Sequence, residues 1–226
     1  IPGIEAGSRD LQEVPKIVMP NRAIRAVFWD FGGVMTESPL AAFRQFEREK
    51  GLPANFLRSL NSQNSEHNAW ARFERSEITP GEFDQCFADE SGAAGHEVRG
   101  LDVIDLLYGP IRPAMVAALK ACKSHWINAC LTNNVAEIPG RGLDRQPQRA
   151  QEWQAVLEMF DQVVESSKVG ARKPEPRFFE LACDRFAIRP EQAVFLDDRN
   201  EKGGLDPMKP ATFRPSMAEL KTMGVA

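Results

Sequence analysis

The residues best suited to chemistry begin at Asp30, which directly follows four apolar residues and precedes Gly32 and Gly33. A short apolar run with aromatic and β-branched members predicts a buried strand, so Asp30 would lie at its carboxyl end. A carboxylate placed there can act as a nucleophile, and the glycines let the backbone turn sharply and approach a ligand. The alternative is an aspartate that only caps the following turn.

Two further stretches offer groups that can bind an anion. Thr132 and Asn133 follow a second apolar run and supply hydroxyl and amide donors for the oxygens of a phosphoryl group. Lys173 precedes Pro174, which bars it from helical geometry, and its charge would offset that of a nucleophile and a phosphate. Taken separately, the Thr-Asn pair also fits the start of an ordinary loop, and the lysine also fits a solvated basic loop.

The fourth stretch is the acidic pair Asp197 and Asp198, which ends another apolar run. Two adjacent acids at the end of a buried strand are costly unless they are paired or bind a metal. Mg²⁺ favours one or two carboxylates together with phosphate oxygens and waters. The pair therefore predicts a magnesium site with Asp30 as the other carboxylate, and the alternative is a solvated turn.

The elements that would position these residues predict a parallel α/β sheet. Apolar runs predict strands over 24–30, 126–131, 162–164, 193–196 and 211–213. Helical spacing recurs between them, and strands that alternate with helices form a parallel sheet covered on both faces. Ligands bind at the carboxyl edge of such sheets, where the four stretches would meet.

The segment 38–109 shows helical spacing and no convincing strand, so we predict a helical cap inserted into the sheet domain. Within it, Thr79 is a plausible N-cap with Pro80 at the first helical position. The predicted domains are an N-terminal arm (1–23), a core (24–37 and 110–226) and the cap (38–109). The segment 136–149 is rich in Gly, Pro and Arg and is predicted to be a loop, and 217–223 a last helix.

Composition narrows the class of protein. At 226 residues, with 42% hydrophobic and 27% charged residues, the chain can bury a core without disulfides. A net charge of −4 argues against a nucleic-acid partner, and the apolar runs fall far short of the roughly 20 residues of a membrane span. The four cysteines lack metal-type spacing, so we expect reduced core thiols and a cytoplasmic location. They are Cys86, Cys122, Cys130 and Cys183.

The ordered set of Asp30, Thr132, Lys173 and the Asp197–Asp198 pair resembles the haloacid dehalogenase superfamily. The resemblance covers about residues 24–226. It is strongest to the group that contains the N-terminal phosphatase-like domain of soluble epoxide hydrolase, whose cap segment residues 70–83 also resemble. It implies a Rossmann-like parallel sheet with a small inserted helical cap.

The resemblance also implies roles for the site residues. Asp30 would be the nucleophile and a magnesium ligand, and the other ligands would be Asp198 and the backbone carbonyl of Gly32, with Asp197 beside them. The implied activity is magnesium-dependent hydrolysis of a small phosphorylated metabolite through an aspartyl-phosphate. In this scheme Thr132, Asn133 and Lys173 bind the phosphate, and Lys173 also neutralises its charge.

Two departures from the family pattern bear on activity. Gly32 stands where active phosphatases usually have an aspartate that acts as general acid and base, and such help is worth about 10²–10⁴-fold. We therefore expect hydrolysis to be slow or restricted to good leaving groups. His67 could substitute as an acid, although we expect it at the surface. Asn200 stands two residues after the acidic pair rather than about four, so we assign it no role.

Two other functions stay open at this stage. One is a catalytically silent domain that binds phosphate or a metal and serves regulation, which the missing acid at Gly32 favours. The other is a metal-independent 2-haloacid dehalogenase, against which the Asp197–Asp198 pair argues. The oligomeric state is not predicted by the sequence.

Overall fold

The computed structural model describes residues 24–198. The predictions for the arm (1–23), the strand over 211–213, the helix over 217–223 and Asn200 lie outside the described residues.

Strands and helices alternate along the described chain, except that six α-helices follow one another between the first two strands. The strands are β1 (Ala26–Trp29), β2 (Ile127–Thr132), β3 (Gln162–Glu165) and β4 (Ala193–Leu196). A π-helical turn (Phe31–Met35) follows β1. The α-helices are α1 (Leu40–Glu49), α2 (Phe56–Ser62), α3 (Ala69–Glu74), α4 (Pro80–Ala93), α5 (Gly100–Ile104), α6 (Pro113–Cys122), α7 (Pro147–Leu157), α8 (Ser166–Val169) and α9 (Pro176–Arg185).

The four strands form one parallel sheet in the order β3-β2-β1-β4. Trp29, the last residue of β1, pairs with Cys130 on one side and with Leu196 on the other. The pairing extends one step further, because the Asp30 amide donates to the Leu196 carbonyl at 2.8 Å. The residues that follow β1, β2 and β4 therefore lie along one edge, as the α/β prediction requires.

All four residues of β1 are buried. Because successive strand residues point to opposite sides of a sheet, both faces of the sheet are covered at this strand. Phe28 packs with Phe178 of α9 on one face, and Trp29 packs with Leu119 of α6 on the other. Burial of a large apolar side chain contributes about 1.5–3 kcal/mol, so this two-sided packing fixes β1 at the centre of the domain. The Trp29 indole N–H also donates to the buried side chain of Asn128 at 3.0 Å.

The helices α1–α5 share an apolar cluster, which also includes Val135 after β2. The rings of Phe73 in α3 and Phe83 in α4 stack with their centroids 4.4 Å apart. The predicted cap at Thr79 is confirmed, since its hydroxyl accepts from the Glu82 amide and the Glu82 carboxylate accepts from the Thr79 amide. Such reciprocal caps satisfy two backbone donors at the start of the helix.

The chain leaves the sheet region and returns to it at one narrow connection. An antiparallel bridge joins Thr36 to Ile111. Beside it, the Glu37 amide donates to the Pro110 carbonyl at 2.9 Å, and the Arg112 amide to the Met35 carbonyl at 2.8 Å. No strand occurs between positions 38 and 109. The division into core and cap stays a prediction, and its boundaries adjoin this connection.

The predicted loop over 136–149 is wrong in part. It contains a 3₁₀ helix (Gly142–Arg145), and α7 already begins at Pro147. The carboxylate of Asp105, distant in sequence, accepts from the Gly142 amide at 2.7 Å and orders the turn. Proline is favourable as the first residue of a helix, which accounts for the early start of α7.

The cysteines are free, as expected, with Cys122, Cys130 and Cys183 buried and Cys86 half-buried. Burial raises the pKa of the Cys183 thiol to about 11, which keeps it protonated at neutral pH. Over residues 24–198, no helix combines the length and apolar character that crossing a membrane requires.

The turn after β1 depends on a glycine. Gly33 has φ +82°, and a Cβ added there would lie 2.0 Å from Asp198 Oδ2. The Arg112 guanidinium holds the turn by donating to the Gly33 carbonyl at 3.1 Å. Gly32 differs, because its φ of −67° suits any residue and an added Cβ would meet nothing within 4 Å.

We predict that Gly33→Ala lowers the free energy of unfolding by about 1–3 kcal/mol, the cost of a side chain in a disfavoured backbone region. Gly32→Ala is the matched control and should change it by less than about 0.5 kcal/mol. Chemical denaturation of the two variants measures both values. Equal stability of the two would contradict the assigned geometry of the turn.

Candidate active site at the carboxyl edge of the sheet

The predicted site residues come together in one open cavity of about 2050 Å³. Asp30 and Thr132 stand at the ends of neighbouring strands, and Lys173 enters from the loop before α9. The residues that line the cavity include Asp30, Gly32, Thr132, Asn133, Lys173 and Asp198. Asp197 lies beside them, 4.0 Å from the Lys173 ammonium. The structure thus brings together residues that are far apart in the sequence, and their individual roles stay predictions.

The central contact of the site joins the Lys173 ammonium to Asp30 Oδ1 at 2.5 Å. Only 4% of the lysine side chain and 13% of the aspartate side chain are exposed. Burial raises the pKa of the Asp30 carboxyl, and the Lys173 charge opposes that rise by favouring the ionised form. The ring of Phe195 lies 5.2 Å from the ammonium and forms one wall of its pocket.

Two donors hold the Asp30 carboxylate through Oδ1. This oxygen accepts from the Phe31 amide at 2.7 Å and from the Lys173 ammonium. These contacts orient the carboxylate at the edge of the sheet, where a carboxylate can attack an electrophile.

Asp30, Asp197 and Asp198 form a group that could hold a cation. Each offers a carboxylate oxygen, and these oxygens lie within 4.8 Å of one another. An all-oxygen set fits Mg²⁺, which prefers carboxylates and keeps several waters. The bare Cα of Gly33 lets the Asp198 carboxylate approach the turn, and Gly32 lines the same cavity.

Asn133 holds the backbone of Lys173, which sequence analysis did not foresee. Its Oδ1 accepts from the Lys173 amide at 2.8 Å, and its Nδ2 donates to the Lys173 carbonyl at 3.0 Å. The side chain predicted to bind phosphate is therefore engaged with the lysine loop. A phosphate contact from Asn133 stays a prediction for its backbone N–H, with the Thr132 hydroxyl as the neighbouring donor.

Sequence analysis also missed Glu74 and Arg172, which form a buried ion pair next to Lys173. Glu74 lies on α3, and besides pairing with Arg172 its carboxylate accepts a hydrogen bond from the side chain of Asn133. A single sequence carries no signal for this pair, because a charged residue on an amphipathic helix usually faces solvent.

The outer part of the cavity is mixed in character. Apolar side chains from both the inserted helices and the sheet domain contribute to it, among them Phe43, Trp70, Tyr108 and Trp153. His67 also lines the cavity, but 75% of its side chain is exposed, which agrees with the expected surface position.

Curated relatives match over most of this chain. It is 30% identical over 190 residues to mouse acyl-CoA dehydrogenase family member 10, covering 78% of this chain and 16% of that protein. It is 29% identical to pig bifunctional epoxide hydrolase 2, with coverages of 78% and 33%. A 24% identity links it to the sesquiterpene phosphatase astK of Aspergillus oryzae, with coverages of 78% and 82%. The chain thus spans a third or less of the length of the first two relatives.

Solved structures share the fold. A dehalogenase structure superposes with a TM-score of 0.56 at 21% identity, covering 88% of this chain and 96% of that one. A second structure is an aspartate-to-alanine mutant of a HAD family enzyme from Bacteroides thetaiotaomicron in complex with magnesium and inorganic phosphate. It superposes with a TM-score of 0.50 at 19% identity, covering 79% of this chain and 86% of that one.

The family itself is settled by a match to a sequence profile of the whole family. The ordered residues, the parallel sheet and the relatives agree with it, and the predicted resemblance to the epoxide hydrolase group is confirmed. The sequence profile of the haloacid dehalogenase-like hydrolases matches residues 24–201, so this chain belongs to that family of hydrolases.

Proposed function

We propose that this chain is a magnesium-dependent phosphatase that acts on a small phosphorylated metabolite. The observation that carries the proposal is the ammonium of Lys173, buried at 2.5 Å from Asp30 and beside a second and third carboxylate. This constellation pairs a nucleophile with fixed positive charge at a place where an anion must enter. The phosphatase name of one relative and the magnesium and phosphate bound by one structural neighbour support it.

The reaction would proceed in two displacements at phosphorus. In the first, a carboxylate oxygen of Asp30 attacks, the P–O bond of the ester breaks, and the leaving oxygen takes a proton from water. In the second, water attacks the aspartyl-phosphate, loses a proton to solvent, and releases inorganic phosphate and the Asp30 carboxylate. Lys173 holds the nucleophile in place and offsets charge on the phosphoryl oxygens, and the Thr132 hydroxyl donates to one of them.

A bound Mg²⁺ would neutralise phosphate charge, held by the carboxylates of Asp30 and Asp198 and by the carbonyl of Gly32. Asp197 Oδ2 lies 4.0 Å from the Lys173 ammonium and would help to keep it directed into the site. Three carboxylates so close together disfavour the binding of a further anion, and a bound cation would offset their charge.

The glycine at position 32 sets the expected limit on catalysis. Neither a general acid for the leaving oxygen nor a general base for the attacking water is available from its side chain. The backbone does not require glycine there, since an added Cβ meets nothing within 4 Å. Aryl phosphates, whose leaving groups need no proton, should therefore react faster than alkyl phosphates.

The same glycine favours a second candidate function, a silent domain that binds phosphate or Mg²⁺ for regulation. Such a domain would keep the Lys173–Asp30 contact and bind both ligands without turnover. Calorimetry with inorganic phosphate and Mg²⁺, combined with the assays below, separates it from a slow enzyme.

We predict that the protein hydrolyses p-nitrophenyl phosphate in the presence of Mg²⁺ and that Asp30→Asn reduces the rate to background. The amide cannot form the phosphoenzyme, so the loss should be at least about 10³-fold. Steady-state release of p-nitrophenol, with and without chelator, measures it. Failure of the wild-type protein to exceed this variant on a panel of monoesters would refute the phosphatase. Chloride release from a 2-haloacid without metal would instead indicate a dehalogenase.

We also predict that Gly32→Asp raises the kcat/KM for an alkyl phosphate by about 10²-fold or more, because it restores a general acid at a position with room for it. The ratio of alkyl to aryl turnover is the quantity to measure. Gly32→Asn is the matched control, since it has the same shape but no carboxyl proton. A gain that Gly32→Asn reproduces, or no gain at all, would contradict the assigned place of residue 32.

A further inference from the structure

We propose that Glu74, on α3 of the inserted helices, is a positioning residue that holds the charge-neutralising Lys173 against Asp30. The inference rests on the proposed function for its catalytic meaning. Its structural content, that an acid on an inserted helix fixes a lysine on the sheet domain, is independent of turnover.

Glu74 is the meeting point of three donors. Its side chain is 8% exposed. Oε1 accepts from the Trp70 indole N–H at 2.9 Å. Oε2 accepts from Asn133 Nδ2 at 3.1 Å and from the Arg172 guanidinium. One carboxylate thus joins the wall of the cavity, the end of β2 and the loop before α9.

Two of these contacts reach Lys173 within one step. The Asn133 side chain accepts a hydrogen bond from the Lys173 amide N–H and donates one to the Lys173 carbonyl. Arg172 directly precedes Lys173 in the chain. Its guanidinium Nη1 donates to the Ser65 carbonyl at 2.9 Å. Glu74 gives Asn133 Nδ2 a further acceptor and so supports the amide orientation that the two contacts with the Lys173 backbone require.

The charge of Glu74 matters as well as its shape. Arg172 is only 9% exposed, so loss of the carboxylate would leave a guanidinium buried without its counter-ion. The arginine would then move toward water and carry its neighbour Lys173 with it. A displacement of about 1 Å at a catalytic group can cost up to 10²-fold in rate.

A second buried carboxylate that pairs with an arginine provides a control. Asp84 on α4 pairs with Arg99, and 8% of its side chain is exposed, the same fraction as for Glu74. It also accepts from the Leu101 amide at 3.0 Å, so it has a similar set of partners. Both members of that pair lie within 38–109 and neither contacts Lys173. Substitution there removes the charge of an equally buried carboxylate on the inserted helices but touches no partner of the lysine.

The test compares Glu74→Gln with Asp84→Asn in the full chain. The first readout is the rate at which Lys173 is modified by reductive methylation, followed by peptide mass spectrometry. The second is kcat and KM for p-nitrophenyl phosphate with Mg²⁺. We expect Glu74→Gln to raise Lys173 labelling at least about 5-fold and to lower kcat about 10-fold with little change in KM. Glu74→Asp, which keeps the charge, should recover part of both.

The outcomes separate the two proposals. If wild-type protein shows no turnover, the phosphatase fails, but the labelling comparison still decides the role of Glu74. Lys173 labelling in Glu74→Gln that equals labelling in Asp84→Asn would overturn the inference, whatever the rates. If Glu74→Gln is too unstable to purify, Arg172→Gln, which removes the other member of the ion pair, provides the same labelling comparison, with equal labelling again overturning it.

Discussion

The structure depends on one buried attraction, that between the Lys173 ammonium and the carboxylate of Asp30. Taking an aspartate out of water favours its neutral form, and a neutral carboxyl is a poor nucleophile. The lysine counters this effect at hydrogen-bond distance. Asp197 and Asp198 each place a carboxylate oxygen within 4.8 Å of one on Asp30, and such an all-oxygen group suits a divalent cation.

The fold supplies this arrangement through the geometry of a parallel sheet. The strands bring Asp30, Thr132 and Asp198 to one edge although more than 60 residues separate each from the next. Gly33 permits the close approach of Asp198. Arg112, which lies where the chain returns to the sheet region, holds the turn by donating to the Gly33 carbonyl. Parallel pairing, rather than local sequence, therefore determines which side chains meet.

Much of this was predictable because it follows from local patterns. The apolar runs indicated the four described strands, and the polar residues after them indicated the site edge. The contacts between side chains that are distant in the sequence were not predictable. Asn133, for example, could donate to a phosphate or to a neighbouring loop, and a single sequence does not decide between the two. Glu74 and Arg172 read as surface charges, and only tertiary packing buries them together. The turn at Gly142 likewise depends on a distant carboxylate, that of Asp105.

The central claim is that the carboxylate of Asp30 carries the phosphoryl group, and reductive trapping tests it most directly. The protein would be mixed briefly with p-nitrophenyl phosphate and Mg²⁺, treated with borohydride, digested, and its peptides analysed by mass spectrometry. Borohydride converts an aspartyl-phosphate to homoserine, and the lack of a general base at Gly32 should let the phosphoenzyme accumulate. The account predicts homoserine at position 30 only when substrate and Mg²⁺ are both present. Release of p-nitrophenol with Asp30 unmodified would contradict it.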